Sequence, residues 1–195
     1  VSVHSAISPD PGVFRQAFRS RPPAAVALDS GKVYISVSIL DSGDAHWYWQ
    51  LYQRGVWADP ERGSLPTGYA MNPTLVDVLP LVAEWYYEHM TPNDALFAFL
   101  YMNAPVYASR FREVDRERIW TEYVSWLDAY RRRLDMDGIE LYRGGTSGAS
   151  ASTEVLKRLT PGMPSLAYVL THLGRHADPT TPPANLAPAG TPALH

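Results

Sequence analysis

Short apolar, β-branched runs alternate along this chain with longer stretches in which apolar side chains return every three or four residues. The first pattern belongs to strands, the second to helices with one buried face. Lys32–Leu40 (KVYISVSIL) is β-branched and nearly all apolar, the composition of a strand covered on both faces. A turn-rich segment carrying Pro60, Gly63, Pro66 and Gly68 leads past the short run Thr67–Met71. Ala95–Tyr101 (ALFAFLY), Gly138–Tyr142 (GIELY) and Ser165–Leu173 (SLAYVLTHL) read as further strands.

Between them, Pro73–Met90 sets Leu75, Val78, Leu79, Val82 and Tyr86 on one helical stripe, and Pro80 inside it predicts a kink or a fresh helix start. Glu113–Leu134 is the clearest helix, with Ile119, Tyr123, Trp126, Leu127, Tyr130 and Leu134 on one face. Arg131–Arg133 fall in its last turns, where cations suit the helix dipole. Thr153–Leu159 reads as a short helix and Ala177–Pro192 as a Pro/Ala loop. Strand–helix alternation of this kind predicts an α/β fold on a parallel sheet, open or closed into a barrel. No internal repeat, P-loop or Gly-x-Gly-x-x-Gly is present, so nucleotide binding has no support.

Composition narrows the function classes. At 195 residues the chain suits one domain, and 46% apolar with 19% charged residues argues against disorder and coiled coil. Apolar runs are strand-length and broken by polar residues, so none reads as a membrane span. The net charge of −3, without a basic stripe, gives nucleic acid no purchase. There is no cysteine, which removes disulfides, thiolate nucleophiles and zinc–sulfur sites while leaving the compartment open. Both ends look cut: Val1-Ser2-Val3-His4 has neither initiator Met nor signal peptide, and Thr191–His195 resembles the beginning of a strand. Residues 1–195 therefore read as a single-domain fragment of a longer protein.

The candidate chemistry begins at Asp41-Ser42-Gly43-Asp44-Ala45-His46-Trp47-Tyr48-Trp49, directly behind the first strand. Carboxylates and large aromatics at a strand's C-terminal end are where α/β folds carry their sites. Rings stack on apolar sugar faces, and carboxylates exchange protons with a glycosidic oxygen. The bland alternatives are that Asp41–Asp44 is turn chemistry, and that Trp49 and Tyr52, at helical spacing, are core rings. Glu140, inside GIELY, needs a cleft or a partner, and Arg143 lies just beyond it. Asn103 and Tyr107 lie past the end of their strand, whereas Thr91-Pro92-Asn93-Asp94 is more simply a turn. His172 and His176 have a metal-ligand spacing only if helical, and their surroundings read as strand and loop.

An ordered series across Ser2–Gly144 carries a family resemblance. It runs through Ser2-Val3-His4-Ser5, a strand into Gly43-Asp44, Trp57-Ala58-Asp59-Pro60-Glu61-Arg62-Gly63, Pro66-Thr67-Gly68-Tyr69, Asn72-Pro73 and Thr91-Pro92-Asn93-Asp94, then the aromatic helix and a Gly-Ile-Glu-Leu strand. In these features the chain resembles the C-terminal domain of the GxGYxYP family of putative glycoside hydrolases. The resemblance implies a (β/α) TIM-barrel-like domain, incomplete here if the ends are cut. It also implies a cleft at the strand C-termini, a polysaccharide or oligosaccharide partner, export to the periplasm or outside the cell, and an N-terminal domain in the same longer protein. Asp44 takes the position of the acid in the family's Ser-Asp-Gly-Asp-Asn. Here that motif is Asp41-Ser42-Gly43-Asp44-Ala45, and Met102–Ala108 keeps only Tyr107 of the naming motif.

Together these readings predict hydrolysis of glycosidic bonds, with Asp44 as one carboxylate and Asp41 or Glu140 as the other. Trp47, Trp49 and Tyr107 stack on or hydrogen-bond sugar. His46, Arg62, Asn103 and Arg143 bind hydroxyls or bias the carboxylates. No cofactor and no metal are called for. Two alternatives stay open: a sugar-binding domain without catalysis, and a metal-dependent hydrolase or deacetylase using Asp44, His46, His172 and His176.

Overall fold

The computed structural model describes residues 12–16, 29, 31–33, 35–39, 45–99, 112–142, 157 and 159–172, and for 45, 46, 141, 142, 171 and 172 only the backbone. Five strands form one sheet in the order of the sequence: β1 (Ser38–Ile39), β2 (Thr67–Met71), β3 (Asp94–Phe99), β4 (Gly138–Tyr142) and β5 (Tyr168–His172). Every neighbouring pair is parallel. When each strand joins only the next, every right-handed crossover steps the same way and lays its helix on the same face. The sheet then curls, with its other face concave, into a half-barrel.

Strand alternation sorts the residues between the two faces. Tyr69, Met71, Leu96, Ala98 and Ile139 point outward and pack under the helices with Trp49, Trp57, Tyr86, Trp120, Val124 and Leu127. Ala70, Phe97 and Phe99 point to the other face, against Tyr168 and Leu170, and line the concave side. The helices with described bounds are α1 (Ala45–Gln50), α2 (Tyr52–Trp57), α3 (Leu75–Val78), α4 (Pro80–Glu88) and α5 (Glu113–Arg133), and residues 159–162 are helical too.

Gly138–Tyr142 is a strand with the predicted bounds, and the short run Thr67–Met71 is a strand as well. The Pro73–Met90 stretch divides at Leu79, with Pro80 as the first residue of a new helix. Its buried set is Leu75, Val76, Pro80, Ala83, Tyr86 and Tyr87, while Val78, the last residue before the break, is exposed. Lys32–Leu40 departs most from expectation. Among its described residues only Ser38–Ile39 is strand, and Val33 and Ile35 are 89% and 84% exposed. Among the described strands β1 is an edge with one neighbour, so one side of its backbone has no strand partner to extend the ladder.

α5 has the predicted length, but its inward face is Trp120, Val124, Leu127, Asp128 and Arg131, and Tyr123, Trp126 and Tyr130 flank it half-buried. Arg131 is a buried tie and not a solvated dipole cation. Its guanidinium donates to Asp128 and to the Met136 carbonyl, each at 2.8 Å, and to the Ser165 hydroxyl. A further tie comes from a segment with no predicted element. The Gln16 side chain accepts from the Leu96 N–H (2.6 Å) and donates to the carbonyls of Leu96 (2.9 Å) and Asp135 (2.8 Å). It completes β3 below the level where β4 joins, which begins only at Ala98. Beside it the fully buried Phe14 packs edge-on against Tyr87 at 5.1 Å.

Candidate functional site

The two ends of the half-barrel differ in chemistry. At the strand C-termini, Glu140 stands on the concave face of β4. Its register partners are Phe99, the last residue of β3, and Leu170 of β5. The carboxyl is 0% exposed, so a mid-strand acid is held inside the curl, level with the end of β3. Asn72, leaving β2 at this end, is also buried, and its carboxamide oxygen accepts from the backbone N–H (3.0 Å) and hydroxyl of Thr74 at the start of α3. That Asx turn explains the Asn72-Pro73 pair and was not singled out as functional on its own from the sequence.

α1 rises from the segment that follows β1. Trp47 is 51% exposed and meets the ring of Tyr52 edge-to-face at 4.7 Å, while Tyr48 stacks on Tyr52 at 6.2 Å. Trp49, two residues on, is 1% exposed. Its ring packs edge-on against Tyr86 (4.6 Å) and Trp57 (6.3 Å), so it serves the core and offers no face to a sugar. Helical geometry separates the neighbours: Trp47 and Trp49 lie about 200° apart around the axis.

The opposite end holds Arg62, and here the expected substrate contact is corrected. Arg62 ion-pairs with Asp94, the fully buried first residue of β3, and donates to the carbonyls of Trp57 (2.9 Å) and His89 (2.7 Å). Its guanidinium also lies 4.4 Å above the Trp57 ring. Trp57 and His89 close α2 and α4, and helix C-termini face strand N-termini in a βα unit. Arg62 is therefore on the floor side, spent on structure. Asp94 also accepts from the Thr91 N–H at 2.6 Å, and Asn93 donates to the Gly63 carbonyl at 2.8 Å. Burial and the charge of Asp94 push the Tyr69 phenol up to about 12.

Residues 31–182 match the model of the GxGYxYP putative glycoside hydrolase C-terminal domain. The chain belongs to this family. A solved structure of similar fold is a putative hydrolase from Bacteroides thetaiotaomicron VPI-5482, with a TM-score of 0.63 at 19% identity. The likeness covers 86% of this chain but 30% of that one, so the chain spans about a third of its neighbour's length. No curated protein matches.

Much of the GxGYxYP series lies at the floor end. Trp57–Gly63, Pro66–Tyr69 and Thr91–Asp94 meet there through Arg62, Asn93 and Asp94. The aromatic helix and the Gly-Ile-Glu-Leu strand then bring Glu140 to the concave face. Of the remaining candidates, Asp41, Asp44, Asn103, Tyr107, Arg143 and His176 lie outside the described residues. For His46 in α1 and His172 in β5 only the backbone is described. Among the described residues no group of three or more His, Asp or Glu could hold a metal ion. No described helix is long and apolar enough to cross a membrane.

Proposed function

We propose that this GxGYxYP domain cleaves glycosidic bonds of a polysaccharide or oligosaccharide, with Glu140 as one carboxylate of the pair and Asp44 as the other. Asp41 is the substitute for Asp44 next in line. The observation that carries the reading is the position of Glu140: a carboxyl on the concave face, level with the C-terminal end of β3. A carboxylic acid at that depth, flanked by Phe99 and Leu170, sits among apolar neighbours of the kind that suit a general acid at the leaving oxygen. The acid on the β1–α1 segment then serves as nucleophile or as base on water, according to the separation of the pair. Trp47 supplies the exposed ring on which a sugar stacks, and His46, Asn103, Tyr107 and Arg143 contact hydroxyls. The working location is outside the cell or in the periplasm, with an N-terminal domain on the same longer protein.

A glycan-array screen of the full-length parent, followed by reducing-sugar release on each hit, tests this directly. Glu140→Gln and Asp44→Asn are each expected to lower release by roughly 10²–10⁴-fold while binding persists. Trp47→Ala should weaken binding by roughly three- to tenfold, the worth of one stacking ring. Full release by Glu140→Gln overturns its assignment, and binding without release in the wild type favours a sugar-binding domain.

A further inference from the structure

Beneath Glu140 the concave face is closed by two rings, each laid on a glycine of the preceding strand. Phe97 of β3 crosses Gly68 of β2, where a Cβ would stand 2.8 Å from its Cε1 atom. Tyr168 of β5 covers Gly138 of β4 so closely that any Cβ there would overlap its ring carbons. The two rings meet edge-on at 6.4 Å. Gly138 and Glu140 share a face of one strand two residues apart, about 7 Å along it. Their partners on β5 are Tyr168 and Leu170, also two apart. The Tyr168 ring therefore occupies the space that a side chain below Glu140 would otherwise fill. Burial there pushes its phenol above the ordinary tyrosine range.

We propose that Tyr168, seated on Gly138, is a positioning residue for Glu140: its ring fills the concave face below the acid and sets the height at which the carboxyl stands. The proposal rests on the reading of Glu140 as a reacting group. Reacting carboxyls must be held to within about 0.5 Å, and packing from below is one way to hold one. The ring and not the hydroxyl performs this, since what Gly138 makes room for is ring carbon. A β4 glycine two residues before the acid is the other half of the device, because alanine there evicts the ring.

The test uses wild type, Tyr168→Phe, Tyr168→Ala, Tyr168→Leu and Gly138→Ala in the full-length parent. Glu140 is labelled with a carbodiimide and glycinamide and followed by peptide mass spectrometry, at a temperature where circular dichroism shows each variant native. Tyr168→Phe should label like wild type, while Tyr168→Ala and Gly138→Ala should label roughly tenfold faster as the acid loses its support. If Tyr168→Ala does not fold, Tyr168→Leu carries the same expectation. On a polysaccharide hydrolysed in the glycan screen, kcat should fall with little change in KM, and Tyr168→Phe should restore it. Equal labelling in all five proteins, or damage in Tyr168→Phe equal to that in Tyr168→Ala, overturns the proposal. Accelerated labelling together with full release by Glu140→Gln would uphold the packing and remove its catalytic meaning. Equal labelling with an inactive Glu140→Gln would remove the positioning role alone.

Discussion

Arg62 shows how a side chain's company decides its role. Its planar fork reaches one carboxylate, two carbonyls and an indole face, more than a lysine could satisfy. Arg62→Ala would leave Asp94 buried and its charge uncompensated, a loss expected to cost about 3–5 kcal/mol. Urea unfolding reads that loss, and Asp94→Asn in the Arg62→Ala background should recover part of it. Glycan binding by any folded Arg62 variant should be unchanged, because the residue sits at the far end of the strands from Glu140. Sequence reading had Arg62 binding hydroxyls or biasing the carboxylates, and it had no local sign of the true partner, which lies 32 positions away. Trp47 and Trp49 carried the same expectation and were parted by the helix axis alone. The burial of Glu140 was legible because a charge inside an apolar strand needs a partner or a cleft.

At the scale of elements, strands were the most readable features where both neighbours exist. β4 was found with its bounds, whereas β1 keeps strand composition with little strand structure among its described residues. The helical stripe of α5 was rotated by a residue, since its aromatic positions sit at the margins and Arg131 turns inward. Nothing in the sequence announced Gln16, because a lone glutamine outside any periodic segment carries no local signal. Its amide nonetheless bonds three backbone groups that would otherwise be bare. Gln16→Ala is expected to cost about 2–4 kcal/mol, as each buried group left without a partner costs ~1–3 kcal/mol. Urea denaturation measures this, and the Leu96 amide should lose protection from hydrogen exchange before its neighbours do.

For the whole molecule, repeated strand–helix alternation correctly gave a parallel α/β architecture, and the half-barrel follows from the strand order. Its buried phenols predict how the fold fails in base. Burial raises Tyr69, Tyr86, Tyr87, Tyr123 and Tyr168 above the ordinary tyrosine value of 10.0, Tyr69 to about 12. The native state thus holds these protons more tightly than the unfolded chain does. Their contribution is complete below pH 10 and begins to be lost as pH rises past it, Tyr69 giving up its share by about pH 12 and the other four later, so stability falls steadily above pH 10. Tyrosinate absorbance near 295 nm should rise together with loss of the circular dichroism signal, and full ionisation of Tyr69 in a still-folded protein at pH 10.5 would contradict this. The Gln16 contacts add a constraint in time. Each strand can settle on the one before it as a chain leaves the ribosome, but Gln16 must wait for Asp135, 119 residues later. At about 5–20 residues per second that is a delay of roughly 6–24 s. The earliest of these residues to be synthesised is among the last to be secured, and until then the nascent β3 carries an open flank that a chaperone could hold.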